Sequence, residues 1–217
     1  MVIGYVFGLF QTAYIYGKLH GIDIRNYGSG NAGTTNTLRV LGMRAGVLVL
    51  AGDIIKCILA VVAANIVFGK THPDMIYLLK IYAAAGAILG HNFPFYLHFK
   101  GGKGIAATAG MVLSFHPYFI PVAVVLFFGI FFTTHYVSLG SLVLYAGIFI
   151  EMVVLGQMGV FGLTQPHLIE LYAVTAVLTI MAYYKHKENI MRLLSGTERK
   201  TYLGHKNKES AEGGNNG

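Results

Sequence analysis

The sequence predicts an all-α, polytopic membrane helix bundle. Three observations carry that expectation: an apolar composition, seven apolar runs divided by short polar segments, and cations confined to one set of those segments. Of the 217 residues, 55% are hydrophobic and 12% charged, against about 25% charged in soluble domains. Mean hydropathy is +0.60. A soluble domain of this length could not cover that much apolar surface, so lipid is the expected solvent. Glycine is abundant, at 28 residues, as close helix packing in lipid favours. The one cysteine, Cys57, lies in an apolar run and offers no disulfide framework.

The runs fall at about 2–17, 43–69, 76–97, 105–116, 118–133, 137–157 and 168–184. A bilayer core takes roughly 20 helical residues, and shorter spans are accommodated by thinning or by burial among neighbours. The run at 105–116 is short. The following His116-Pro117-Tyr118 invites a turn, because proline disfavours helix in the residue before it. The stretch 104–133 is therefore read as two spans. The total is seven, with five as the alternative if the short elements do not cross. No basic region or small-x-small cleavage site precedes Lys18, so the first run is expected to persist as a span and not to be removed as a signal peptide. No internal repeat is evident.

Charge placement orients the bundle. With the N-terminus outside, segments 18–42, 98–104 and 134–136 and everything after 184 face the cytoplasm. These segments hold Lys18, Arg25, Arg39, Lys100, Lys103, Lys185, Lys187, Arg192, Arg199, Lys200, Lys206 and Lys208, with Arg44 just past the first. Lys70 falls on the other side, and Lys56 and Lys80 lie within spans. The positive-inside rule then predicts N-out and C-in. The same placement, at the ends of apolar runs, argues against a nucleic-acid partner despite a net charge of +7 and a pI near 9.4. The chain reads as one membrane domain over 1–200, followed by a polar tail, 201–217, expected to be disordered.

Two glycine-rich segments carry cations and share the expected cytoplasmic face. The first is Ser29-Gly30-Asn31-Ala32-Gly33-Thr34-Thr35-Asn36-Thr37-Leu38-Arg39. Thr35 or Asn36 is a plausible N-cap for a helix carrying Leu38 and Arg39. A helix N-terminus presents free N–H groups and partial positive charge, and arginine grips phosphate with two parallel hydrogen bonds. A polar turn with a membrane-surface arginine would look similar. The second runs Gly90-His91-Asn92-Phe93-Pro94 through Phe99-Lys100-Gly101-Gly102-Lys103-Gly104. Its glycines allow close backbone approach to an anion beside Lys103. It is not a Walker A loop, since Gly104 replaces Ser or Thr and Leu97 stands where that loop needs glycine. ATP hydrolysis is therefore not expected. His91 is a candidate donor or base, or an interfacial histidine.

A third constellation is Lys185-His186-Lys187-Glu188-Asn189-Ile190-Met191-Arg192 through Gly196-Thr197-Glu198. On a helix, Lys185, Asn189 and Arg192 share a face. A basic amphipathic helix on anionic lipid accounts for the cations, but less well for Asn189 and Glu198. Asp53 and Lys56, at i and i+3 within a span, are expected to pair with each other. Glu151 has no sequence-local partner. No His-x4-Asp, nucleophile elbow or metal-ligand spacing occurs. Acyl transfer here would need an already activated donor.

These three stretches resemble the bacterial PlsY family, integral-membrane glycerol-3-phosphate acyltransferases that use acyl phosphate. The family shows Ser-Gly-Asn-x-Gly-x-x-Asn-x-x-Arg, matched at Ser29 to Arg39. It shows Gly-His-x-x-Pro then Phe-x-Gly-Gly-Lys-Gly, matched at Gly90 to Gly104, and His-x-x-Asn-Ile-x-Arg-Leu-x-x-Gly-x-Glu, matched at His186 to Glu198. The match runs from about residue 4 to 200. Ala32 stands where proline is frequent, and His135 where arginine is expected.

The resemblance implies transfer of an acyl group from acyl phosphate to the 1-position of sn-glycerol 3-phosphate, giving lysophosphatidate and phosphate. It implies a multi-pass protein of the bacterial inner membrane with its site facing the cytoplasm. Expected phosphate-binding residues are Ser29, Gly30, Asn31, Gly33, Thr34, Asn36, Arg39, Gly101, Gly102, Lys103 and Gly104. Expected orienting groups at the reacting atoms are His91, His186 and Asn189, with Arg192 and Glu198 structural or orienting. Neither metal nor cofactor is expected, and the partners are the two substrates and membrane lipid. A transporter of phosphorylated solutes is the alternative. It predicts sites at mid-bilayer and two related halves. A non-catalytic scaffold on anionic lipid would not need the two glycine-rich segments.

Overall fold

A computed structural model describes residues 1–202; the expected tail from 203 lies outside the described residues. The first apolar run is not one helix, which corrects the sequence expectation of a single element. It forms α1 (Val2–Gly8) and α2 (Thr12–Leu19), interrupted at Leu9-Phe10-Gln11. Carbonyls at such a break must find donors in apolar surroundings, and these do. Gln11 Nε2 donates to Gly8 O at 3.1 Å, Tyr96 Oη to Leu9 O at 2.7 Å and Lys56 Nζ to Phe10 O at 2.8 Å.

The remaining runs recur as helices close to their expected bounds. After the polar loop comes α3 (Thr34–Leu41), then α4 (Met43–Phe68), α5 (Ile76–Asn92), α6 (Ile105–Phe115), α7 (Phe119–Thr134), α8 (Val137–Gln157), α9 (Gln165–Lys185) and α10 (Lys187–Leu194). Four elements are long and apolar enough to cross a membrane: Met43–Phe68, Pro73–Leu97, Val137–Gln157 and Gln165–Lys185. The apolar helices α6 and α7 are shorter, at 11 and 16 residues. Among the described residues no strand occurs. Large apolar side chains such as Ile66, Val125, Val177 and Ile180 are exposed on α4, α7 and α9, an outer surface suited to lipid and not to water.

α5 is the centre of the bundle and packs against α1, α4, α6 and α9. Its Ala83, Ala84, Ala85, Ala87 and Ile88 are all buried. Small residues make this possible. Gly4 and Gly8 on α1 face Gly86 and Gly90 on α5, two G-x-x-x-G pairs in contact. A Cβ at Gly86 would lie 2.1 Å from Met1 O, and one at Gly8 would lie 2.2 Å from Ala87 O. Backbones meet this closely only where both side chains are absent. Gly86→Leu is therefore expected to destabilise the fold by about 3 kcal/mol or more, since backbone cannot yield as a side chain can. Thermal unfolding in detergent checks this, and a variant as stable as the parent would refute the packing.

Thr201, placed by sequence at the start of the tail, is instead buried. Its N–H donates to His135 O at 2.9 Å, and its hydroxyl accepts from Arg39 Nη2 at 3.0 Å.

Candidate active site

Polar segments distant in sequence converge at one end of the bundle. Arg199 Nη1 donates to Gly28 O at 3.3 Å and Lys185 Nζ to Asn92 O at 3.3 Å. Ser138 Oγ donates to Glu198 Oε1 at 2.8 Å. A Cβ at Gly102 would lie 2.8 Å from Ala32 O, so the two glycine-rich segments touch. The three stretches picked out by sequence thus share one site.

The first segment is built around Asn36. The helix begins at Gly33, not at an Asn or Thr cap, so the expected N-cap at Thr35 or Asn36 is corrected. Asn36 is buried in the first turn. Its amide donates to Ile24 O at 3.1 Å and Tyr27 O at 3.0 Å, and its Oδ1 accepts from Ser29 N at 2.8 Å. Every polar group of the Asn36 side chain is spent shaping the loop. The backbone N–H of Gly30 and Gly33 bond within the loop, to Tyr27 O and Asn31 O. The amides at 34–36 lack backbone acceptors among the described residues, because the first intrahelical bond of α3 runs from Thr37 to Gly33. Thr34 Oγ1 beside them is buried without a hydrogen-bond partner among the described residues. Ser29 and Asn31 stand on the same loop. Arg39 follows on α3, and burial with the charge of Arg199 lowers its pKa.

The second segment folds back on α5. His98 and Phe99 adopt left-handed backbone at φ 54° and 59°, costly for side-chain-bearing residues. That reversal brings Gly101 N–H to Asn92 O at 3.2 Å and Gly102 N–H to His91 O at 3.1 Å. These two amides are consequently engaged by the end of α5. The amides that lack backbone acceptors among the described residues lie further on, at 103–107, where α6 starts after left-handed Gly104 (φ 86°). A Cβ at Gly104 would sit 2.8 Å from Asn92 Oδ1.

Lys103 is the centre of charge. Its Nζ donates to Asn189 Oδ1. Asn189 Nδ2 donates to Glu198 Oε1 at 2.7 Å, and Arg192 Nε to Glu198 Oε2 at 2.8 Å. Glu198 therefore accepts from Asn189, Ser138 and Arg192. Although partial burial opposes it, those hydrogen bonds hold its pKa below the usual range. Burial, then the charge of Arg192, lowers the Lys103 pKa to about 8. His186 is buried on the same rim. Its Nδ1 lies 2.7 Å from Ala182 O, which only an Nδ1–H can satisfy. Burial and Lys103 push its pKa down to about 4, so the ring is neutral at pH 7 with Nε2 as acceptor.

His91 is placed differently from the other site residues. It is buried, with Nδ1 2.8 Å from Lys56 Nζ. Its Nε2 faces Gly102, where a Cβ would lie 2.2 Å away. The Asp53–Lys56 pair expected from sequence forms at 2.8 Å, and its link to His91 was not legible from spacing. Ser138, Thr201 and Arg199 also escaped sequence reasoning. Arg199 directly follows Glu198 and Ser138 lies three residues after His135, both noted positions.

Arg39, Lys103, Arg192 and Arg199 thus meet near Glu198, with Lys185 beside Lys103 and two helix N-termini opening beside them. Such an excess of positive charge with free backbone donors suits phosphate-type anions. The class of protein is an integral-membrane helix bundle with a cluster of cations at one end. The family model for glycerol-3-phosphate acyltransferase matches residues 1–196. A glycerol-3-phosphate acyltransferase of Halalkalibacterium halodurans is 41% identical over 202 residues, covering 92% of this chain and 93% of that protein. One of Thermoanaerobacter is 38% identical over 206 residues, covering 92% of both. Among solved structures, the glycerol 3-phosphate form of PlsY (YgiH), an integral membrane glycerol 3-phosphate acyltransferase, matches with TM-score 0.78 at 32% identity over 92% of each chain. Its lysophosphatidic acid form matches with TM-score 0.76 at 30% identity over 93% of each. The chain belongs to the glycerol-3-phosphate acyltransferase family.

Proposed function

We propose that this protein transfers an acyl group from acyl phosphate to the 1-hydroxyl of sn-glycerol 3-phosphate. The hydroxyl oxygen attacks the acyl carbon, the carbon–oxygen bond to phosphate breaks, and the departing phosphate keeps the electron pair. The proton of the hydroxyl leaves with the phosphate, and lysophosphatidate remains. The observation that carries this reading is the convergence of two anion cradles on one rim, one for each phosphate-bearing substrate.

Lys103 and the amides opening α6 form one cradle. Ser29, Arg39 and the amides opening α3 form the other. Neutral His186 offers Nε2 as acceptor for the attacking hydroxyl. Asn189 positions Lys103, and Glu198 with Arg192 holds Asn189. An acyl phosphate carries a good leaving group, so positioning and charge stabilisation suffice. Purified protein given palmitoyl phosphate, without added metal or acyl-CoA, tests this. Phosphate release that depends on glycerol 3-phosphate, with equimolar lysophosphatidate, supports it. No release from a folded sample sinks it.

The acyl chain lies in an apolar groove of about 370 Å³ between α1 and α4, lined by Val6, Phe7, Phe10, Gly52, Ile55 and Leu59. Lys56 at its edge also contacts His91, which brings the groove to the site. Leu59→Trp is expected to raise KM for palmitoyl phosphate several-fold and leave KM for glycerol 3-phosphate unchanged. A KM for palmitoyl phosphate unchanged from the parent's would remove the groove from the reading.

The rim faces the cytoplasm of a bacterium, with the N-terminus outside and seven crossings in all. Supporting this, Lys18, Arg25, Arg39, Lys100, Lys103 and Lys185 fall at one set of alternate ends of the apolar runs and Lys70 at the other. In right-side-out vesicles, a cysteine replacing Lys70 should react with an impermeant maleimide. One replacing Lys100 should react only after permeabilisation. The reverse pattern would invert the topology.

A further inference from the structure

Asp53, Lys56 and His91 are 1%, 4% and 3% exposed, and the acyl transfer above leaves Asp53 and Lys56 without a task. Burying an ion pair is costly and seldom adds stability over apolar packing. The Lys56 ammonium reaches Asp53 Oδ1, Phe10 O and His91 Nδ1, each at 2.8 Å. Asp53 Oδ1 also accepts from Thr12 Oγ1 at 3.0 Å. An ammonium has three donors and no acceptor, and here all three are used. The third can be satisfied only by a bare lone pair on His91 Nδ1.

Two other arrangements fit less well. A protonated Nδ1 aimed at Asp53 would span 3.6 Å, outside hydrogen-bond range, and would set its proton against those of Lys56. A neutral Lys56 could accept from Nδ1, but would leave the Asp53 carboxylate buried without its cation. The ring proton of neutral His91 therefore sits on Nε2. That atom faces Gly102, which itself lies against the Ala32 carbonyl, where the two glycine-rich segments meet.

We propose that Lys56, held by Asp53, is a positioning residue that locks His91 in the Nε2–H tautomer. His91 then presents a standing N–H donor to substrate oxygen, and is not a proton acceptor in the reaction. His91 and His186 are thereby divided, one giving a hydrogen bond at Nε2 and the other taking one. The part concerning substrate rests on the proposed acyl transfer; the tautomer does not.

The test is ¹⁵N NMR of the full chain at pH 7 with ring-labelled histidine, with His91 assigned by its loss in His91→Gln. A pyridine-type Nδ1 and a pyrrole-type Nε2 are expected. A protonated Nδ1 overturns the proposal whatever the enzyme assay shows. Lys56→Met should mix the tautomers and lower kcat by about tenfold to a hundredfold, the scale of loss seen when a metal-bound histidine loses its orienting partner. A folded Lys56→Met with the parent's His91 spectrum and turnover overturns the assignment to Lys56. Should Lys56→Met not fold, ¹⁵N coupling between Lys56 Nζ and His91 Nδ1 in the parent protein decides: its presence supports the hydrogen bond, and its absence overturns it.

Discussion

Lys103→Ala is expected to lower kcat/KM by on the order of a hundredfold to a thousandfold, the usual loss when one donor to developing charge is removed. The lysine lies in the loop between α5 and α6, and its bond to Asn189 on α10 lies outside the apolar core, so the variant should fold. Its pH dependence gives a second reading. Burial and Arg192 lower its pKa to about 8 in the free protein. The charged form binds phosphate, so kcat/KM should fall as pH rises through about 8. A bound phosphate favours the ammonium, so the matching limb in kcat should lie at higher pH. Lys103→Arg should remove the limb from both, since arginine does not titrate there. His186, neutral above about 4, should add no limb between pH 5 and 9. A kcat/KM profile flat from pH 7 to 9 in the parent would take Lys103 out of phosphate binding.

Gly102→Ala should be nearly as damaging for a different reason. Its added methyl would lie 2.2 Å from His91 Nε2 and 2.8 Å from Ala32 O. Ala32 O is backbone. The histidine ring cannot retreat, because its other nitrogen is held by Lys56 at 2.8 Å. The two glycine-rich segments must separate or His91 must turn, and misplacement of about an ångström costs around a hundredfold in rate. The clash with the Ala32 carbonyl is with backbone, so the melting temperature should fall as well, and turnover is compared where the variant is folded. Parental turnover in Gly102→Ala would show that the meeting of these segments is dispensable.

Both variants test features that differ in how readable they were. The helices from α4 to α9 follow directly from apolar runs, because in lipid a long apolar stretch can pair its backbone only as helix. The break between α1 and α2 was hidden. Its sole local sign is Gln11, and the donors that make it tolerable, Lys56 and Tyr96, are remote in sequence. The four-residue spacings Gly4/Gly8 and Gly86/Gly90 went unread in a chain with 28 glycines, and only the fold matched one to the other. At the site, Lys103, Asn189 and Glu198 were each picked out by sequence, and the structure joins them in one chain of hydrogen bonds. Asn36 and the Gly101 and Gly102 amides, read as phosphate ligands, bond instead within the protein. A motif marks that residues matter without saying whether they face ligand or loop.

Sequence alone determined that this is a helical membrane protein carrying three cationic, glycine- or asparagine-bearing stretches, because hydropathy and residue chemistry are local properties. Tertiary structure decided which amides stay open, which carboxylate steadies Lys103, and which nitrogen of His91 meets the site. Those depend on donors and acceptors brought together from α4, α5, α6 and α10, and hydrogen-bond partners at a few ångströms cannot be inferred from separation along the chain.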